Sequence, residues 1–340
     1  MKLAEFDYKL PKELIAQYPT EERDKCRLMV LDRKSGKTAH GIFSDITGYL
    51  REGDCLILNN TKVIPARLFG KRKTGGKVEI FLLEKKEPAC EALIRQSGRL
   101  KKGEKVRLEC GAEAEMLERG EIGRFVRFDR PLEDIVKTGH TPLPPYISRA
   151  DEETDKHDYQ TVYGGREGAT ASPTAGLHFT RELLGKISVS GVRVAYLTLH
   201  TSYGTFAPVN VEDVEDHRMH REYFELPEET ANIVKDTRDS GGRVFAVGTT
   251  TTRVLEHCAN EASGPQFPVV SKNGYTDLFI YPGYGFKAVD AMITNFHLPK
   301  STLMLLVCAF AGRDPVMSAY REAIARRYRF FSYGDAMLII

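Results

Sequence analysis

Between Val63 and Phe128 the chain is a succession of short apolar runs: Val63–Phe69, Val78–Leu83, Ala92–Ile94, Val106–Leu108, Ala112–Leu117 and Phe125–Phe128. Glycine and charged residues close off each run, and none is long enough to show the 3.6-residue period of a helix. Recurrence at roughly 8–12 residues suits a small antiparallel barrel or sandwich. Around this stretch the pattern changes. Cys55–Leu58, Val192–Leu197, Val244–Val247 and Asp277–Tyr281 read as strands, while Glu182–Ile187, Glu228–Arg238, Arg253–Ala259 and Ser318–Tyr328 read as helices. Such alternation implies an α/β body. The expected fold class is therefore an α/β main domain with an inserted all-β (barrel-like) domain. Residues 1–60 and 146–340 would form the discontinuous α/β catalytic domain, and residues 61–145 the insertion.

A length of 340 residues accommodates two such units. Lys and Arg total 49 against 47 acidic residues, so a polyanion would have to meet a local basic patch, not a uniformly basic surface. The six cysteines, at 26, 55, 90, 110, 258 and 308, are too scattered for a zinc ribbon, an iron–sulfur triplet or a disulfide scaffold, and read as reduced thiols of a cytoplasmic protein. The longest apolar stretch, Thr302 to Ala311, falls short of the ~20 residues a bilayer span requires, and the first residues lack a signal core. No membrane partner is expected.

Chemistry concentrates in two loops. In Ala169-Thr170-Ala171-Ser172-Pro173-Thr174-Ala175-Gly176-Leu177-His178-Phe179, small residues allow close backbone approach to a ligand while presenting an imidazole. Thr294-Asn295-Phe296-His297-Leu298-Pro299-Lys300 repeats the theme before an apolar helix that Ser301 can cap. Two such loops suggest one composite site. The start of that helix is either an anion site or a plain core helix after a tight turn.

Phe245 to Arg253 reads as a strand, a polar loop and a helix start, the place where open α/β sheets bind ligands, with a ligand-free capped helix as the alternative. It has neither GxGxxG nor a P-loop lysine, which argues against a dinucleotide site or an NTPase. His217 and His220 are spaced His-x-x-His within a charged run, but without HExxH or a nearby cysteine no metal is expected. His200 ends a strand and enters a glycine-containing loop, a placement typical of function. Arg321, Arg326, Arg327 and Arg329, followed by Phe330 and Phe331, suit either single-stranded RNA or a solvated helix face in which Glu322 pairs with Arg326 over buried phenylalanines.

Asp7-Tyr8-Lys9-Leu10-Pro11, Ile15 to Pro19, Asn59 to Arg67, Pro142 to Ile147, Tyr159 to Tyr163, Pro173 to Phe179, Asp290 to Ser301 and Arg329 to Met337 follow one another nearly end to end. Together they resemble the QueA family of S-adenosylmethionine:tRNA ribosyltransferase-isomerases of queuosine synthesis. The resemblance implies an α/β domain carrying a β-barrel domain. It also implies that the ribosyl group of S-adenosylmethionine is transferred and isomerised onto 7-aminomethyl-7-deazaguanine at the wobble position of tRNA, giving epoxyqueuosine-tRNA, adenine and methionine. S-adenosylmethionine would be the ribosyl-donor substrate, tRNA the partner, and the chain a cytoplasmic monomer without a metal.

Such a reaction needs a base for the carbon beside the sulfonium, an acid for departing adenine and surroundings that tolerate a cation. His178 and His297 lead the catalytic candidates, then His200 and His217, with Asp290 or Asn295 orienting one of them. Pro173, Thr174, Gly176, Thr249, Thr250, Arg253 and Asn295 are candidates for holding the donor, and Tyr281, Tyr284 and Phe296 for facing its sulfonium. Arg149, Lys156, Arg166, Lys300, Arg326, Arg327 and Arg329 are candidate RNA contacts. The chain departs from the family at Ser172, Thr201-Ser202, Arg221 and Thr251-Thr252, and Thr201, Ser202 and Tyr203 add side chains where glycine would allow close approach. Two alternatives follow: a non-catalytic tRNA-binding homologue that no longer binds the donor, and a methyltransferase that would release S-adenosylhomocysteine instead of adenine.

Overall fold

The computed structural model describes residues 1–83, 87–96, 100–201, 209–262 and 268–340. Its first strands are β1 (Arg27–Leu31), β2 (Thr38–Ile42), β3 (Cys55–Asn59) and β4 (Thr61–Val63). Next come β5 (Arg67–Arg72), β6 (Lys77–Leu82), β7 (Cys90–Gln96), β8 (Lys105–Leu108), β9 (Glu113–Arg119) and β10 (Arg124–Phe128). The remainder are β11 (Arg166–Ala169), β12 (Arg193–Leu199), β13 (Glu222–Leu226), β14 (Val244–Val247), β15 (Lys272–Thr276), β16 (Ala291–Asn295) and β17 (Ala336–Ile339).

Nine strands make one mixed sheet in the order β15-β13-β12-β3-β14-β16-β17-β1-β2. Its centre, β12-β3-β14-β16, is parallel, and β17 runs against β16. Strands buried on both faces need continuous apolar sequence, and CLILN of β3, VFAV of β14 and AMLI of β17 supply it. Alternation then divides the core. Met29, Leu31, Ile57, Ala246, Met292 and Met337 point into one layer, and Leu28, Val30, Leu56, Phe245, Ile293 and Leu338 into the other.

The first layer is closed by α4 (Glu228–Asp239), α5 (Thr249–Asn260), α6 (Thr302–Ala311) and α7 (Arg313–Ala325), which follow α1 (Leu132–Lys137), α2 (Asp155–Asp158) and α3 (Arg181–Val189) in the chain. The second is closed by α3, through Leu183, Leu184 and Ile187, with Phe43 and Phe179. Ser301 caps α6, its hydroxyl accepting from the Met304 amide at 3.1 Å, and Gly312 at φ 82° ends it before α7. Among the described residues no single helix is long and apolar enough to cross a membrane.

Strands β5 to β10 close into an antiparallel barrel, β10-β7-β6-β5-β8-β9. A barrel this small is filled by its own side chains, here Leu68, Val78, Ile80, Ala92, Val106, Ala114, Met116 and Val126, joined by Leu132, Ile135 and Val136 of α1. The body is thus an α/β main unit with an inserted all-β barrel.

Four local expectations give way. The Val63–Phe69 run is two strands, because Pro65 removes a ladder donor; β4 pairs with β11 and β5 enters the barrel. Asp277–Tyr281 is not a strand: the Leu278 amide donates to the Thr276 hydroxyl at 3.2 Å and its carbonyl accepts from Arg253 at 3.0 Å, so side chains take up the ladder's groups. Thr249–Thr252 is the first turn of α5, not a loop, and α7 ends at Ala325, leaving Arg326, Arg327 and Arg329 beyond it.

Candidate active site

The four parallel central strands deliver Asn59, His200, Gly248 and Asn295 to one edge of the sheet, at or just past their carboxyl ends. Over that edge lies the segment Pro173–Phe179, and Gly248, at φ 92°, supplies a backbone conformation that residues with a Cβ rarely adopt, next to Ala175. A cavity of about 210 Å³ opens at this edge, lined among others by Tyr146, Thr174, Asn295, Phe296, His297 and Phe331.

Both histidine loops converge here. The Asn295 side-chain amide donates to His178 Nε2 at 3.1 Å and to the Phe331 carbonyl at 3.1 Å, while its oxygen accepts from the Thr174 hydroxyl at 3.4 Å. Because His178 Nε2 accepts, its proton sits on Nδ1, facing Cys26 Sγ at 3.1 Å. His297 is two residues on from Asn295; its Nε2 lies 2.7 Å from the Thr294 hydroxyl, and its Nδ1 has no partner among the described residues. The backbone of His297 is pinned at both polar groups, its carbonyl by the Tyr8 hydroxyl and its amide by Tyr320 at 3.0 Å.

Burial depresses both imidazoles, His178 to about 4 and His297 to about 3, so both are neutral at neutral pH. Lys300 at φ 52° and Phe331 at φ 70° line the same cavity, and non-glycine residues in the left-handed region mark a tightly determined site. The first two amides of α6, at Thr302 and Leu303, have no acceptor among the described residues, so the positive end of that helix is open toward the cavity.

Phe296 and Lys300 line the same cavity, whereas Asp290, His200, His217, Arg253, Tyr281 and Tyr284 are not among its lining residues. Asp290 precedes β16, on the order of 17 Å from Asn295 at the rise of a strand. There it accepts from the Val244 amide at 2.8 Å and pairs with Arg238 at 3.3 Å, so it orients neither imidazole. His200, at the edge, contacts the Thr61 hydroxyl at 2.8 Å and stacks on Tyr223. His217 packs edge-on against Phe279. Arg253 is buried against Glu222, and its Nη2 has no partner among the described residues. Tyr284 donates to Glu256 at 3.2 Å, Tyr281 packs on Phe279, and Phe296 is fully buried against Tyr320, Tyr328 and Phe330.

Pro173 and Gly176 flank Thr174, and Gly176 is held close by Tyr163, whose hydroxyl would lie 2.0 Å from a Cβ there. Thr249 and Thr250 open α5, with the Thr250 hydroxyl 3.4 Å from the Asn59 amide.

The basic candidates divide by exposure. Arg149 forks onto Asp155 at 2.6 and 2.8 Å and is only 14% exposed. Arg329 is spent on the Tyr18 carbonyl, and Lys300 pairs with Asp7 at 2.8 Å. Arg166 and Arg326 are more than half exposed, at 63% and 56%, the latter paired with Glu322 at 2.8 Å. Lys156 pairs with the exposed Glu153, and the Arg327 carbonyl receives Arg27.

Asn59 and Cys26 were not among the sequence candidates. Asn59 is buried and bridges β3, β12 and α5 through the Leu199 amide and carbonyl, both at 3.0 Å. A buried amide at the end of an apolar strand was the available signal; nothing local marks Cys26, which meets His178 only through the fold. Of the departures, Thr251 and Thr252 return their hydroxyls to the Val247 and Gly248 carbonyls at 2.7 and 3.1 Å. Ser172 and Thr201, with neighbouring Thr170, are buried hydroxyls without a partner among the described residues. Ser202 and Tyr203 lie outside the described residues. Among the described residues no group of His, Cys, Asp and Glu could hold a metal ion.

The chain matches the family model described as queuosine biosynthesis protein over residues 3–339. It is 52% identical over 344 residues to the S-adenosylmethionine:tRNA ribosyltransferase-isomerase of Sulfurihydrogenibium sp. (strain YO3AOP1), and 51% identical over 345 residues to that of Trichlorobacter lovleyi, all of each chain being covered. Among solved structures it is similar to the crystal structure of S-adenosylmethionine tRNA ribosyltransferase from Thermotoga maritima at 2.00 Å resolution. That match has 42% identity and a TM-score of 0.58, and covers 99% of this chain and 100% of that one. The chain belongs to the queuosine biosynthesis protein family.

Proposed function

We infer that this member of the family is an S-adenosylmethionine-dependent tRNA ribosyltransferase-isomerase, moving the ribosyl group onto 7-aminomethyl-7-deazaguanine at the wobble position and releasing adenine and methionine. The observation that carries this reading is the meeting of two distant histidine loops, through the 3.1 Å contact of Asn295 with His178, at the carboxyl edge of the sheet. S-adenosylmethionine brings the ribosyl group and a carbon made acidic by the neighbouring sulfonium.

The residues present fit that donor. The cavity wall carries aromatic side chains, Tyr146 and Phe331, suited to a sulfonium, and Lys300 is neutralised by Asp7, so no bare cation repels it. The open amides of α6 suit the donor's carboxylate. His297, neutral and with no partner for Nδ1 among the described residues, is the residue placed to accept a proton there, in the tautomer whose Nε2 donates to the Thr294 hydroxyl. His178, whose Nε2 is already engaged, acts by holding Asn295 and through it Thr174. The chain works in the cytoplasm, as a monomer, on tRNA.

Incubation with S-adenosylmethionine and tRNA carrying 7-aminomethyl-7-deazaguanine tests the reading. Free adenine, dependent on both substrates, is expected; S-adenosylhomocysteine, or no turnover in a protein that binds the tRNA, would refute it.

A further inference from the structure

A second cavity, of about 310 Å³, lies against the first. His178 lines this one and Asn295 the other, so their 3.1 Å contact is the partition between them, and Ser332 borders both. Tyr18 belongs to the second cavity and is 50% exposed, so a face of its ring is open to a ligand.

That exposed ring is held rigidly. The Arg149 guanidinium sits 4.1 Å from the ring centroid, and is itself fixed by its fork onto Asp155. The Tyr18 hydroxyl donates to Glu152 at 2.8 Å, and its carbonyl accepts from Arg329. Tyr333, at the cavity wall, donates to the same Asp155 at 2.8 Å, which ties the platform to the wall. A pre-organised aromatic face loses little entropy on stacking, which is how proteins take up unstacked bases of single-stranded RNA. The lining also carries the carboxylates of Glu21 and of Asp158, the latter 4.0 Å from Arg23 in the same wall, and Glu21 complements a cationic aminomethyl group or the donor edge of a guanine-like base.

We propose that this second cavity receives the extruded wobble nucleobase, stacked on Tyr18, with the donor substrate on the other side of the His178–Asn295 partition. The inference deepens the tRNA-modifying reading and rests on it. It makes Arg149 a support under the stacking ring and not a phosphate contact.

Binding separates this claim from the activity itself. The probes are two anticodon stem-loops, one with 7-aminomethyl-7-deazaguanine at the wobble position and one with guanine. Stacking is worth ~1–3 kcal/mol per base, so Tyr18→Ala should weaken binding of the modified stem-loop about 5- to 150-fold. Tyr18→Phe, which keeps the ring, should recover most of that affinity, and calorimetry with S-adenosylmethionine should give the same affinity in all three proteins. Tyr18→Leu carries the test if the alanine variant does not fold. Unchanged stem-loop affinity in the alanine and leucine variants, or a parallel loss of donor affinity, would overturn the proposal. Failure of the wild-type protein to release adenine would instead overturn the underlying activity.

Discussion

Burying a neutral imidazole couples folding to pH, and His178 and His297 are both held far below the ordinary value of 6.5. Below that pH the unfolded chain takes up protons that the folded chain refuses, so stability is full above about 6.5 and is lost as the pH falls toward 4. The slope is at most about 1.4 kcal/mol per pH unit for each imidazole. Urea denaturation between pH 7 and 4.5 should show this loss, and His178→Gln should flatten it. The hydroxyls of Ser172 and Thr201, buried without partners among the described residues, give a second prediction. Ser172→Ala and Thr201→Val should raise the thermal midpoint, by on the order of 1 kcal/mol of stability each, because an unsatisfied polar atom leaves the core. A lower midpoint would show that those hydroxyls do find partners. His178, His297, Thr174 and Asn295 were legible in the sequence because small residues, proline and polar side chains cluster around them. Cys26 and Tyr18 were not, since their contacts with His178 and Arg149 arise only when segments more than a hundred residues apart come together.

At the scale of elements, α6 is capped by one hydroxyl and starts at the cavity. Ser301→Ala removes both the bond to the Met304 amide and the one the hydroxyl gives to the Leu298 carbonyl at 2.7 Å. Such caps contribute ~1 kcal/mol, so the variant should lose about that much in denaturant titration and bind S-adenosylmethionine more weakly. An unchanged donor affinity would separate the helix terminus from the donor. The central strands and α6 were readable because both-face burial demands continuous apolar runs. Asp277–Tyr281 misled because its composition is strand-like while Thr276 and Arg253 claim its backbone groups. The Thr249–Thr252 run misled because hydroxyls that usually compete with a helix here bond back along it.

On the scale of the whole molecule, the barrel was legible from spacing alone, whereas the RNA-facing surface was not, because arginine serves ion pairs, ring support and phosphate contact alike. Exposure sorts them: Arg166 and Arg326 project into solvent, and Arg149 is locked on Asp155 beneath Tyr18. Affinity for tRNA should fall steeply with salt, and Arg326→Ala should lower the slope of log K against log salt by about 1. A slope unchanged in that variant confines Arg326 to its pair with Glu322. The central claim is that the two histidine loops build one site around the donor, with His297 moving a proton there. The rate of adenine release by His297→Gln, with saturating S-adenosylmethionine and 7-aminomethyl-7-deazaguanine tRNA, tests it most directly. The account predicts a fall on the order of 10²–10⁴-fold with the fold intact; turnover at the wild-type rate would contradict it.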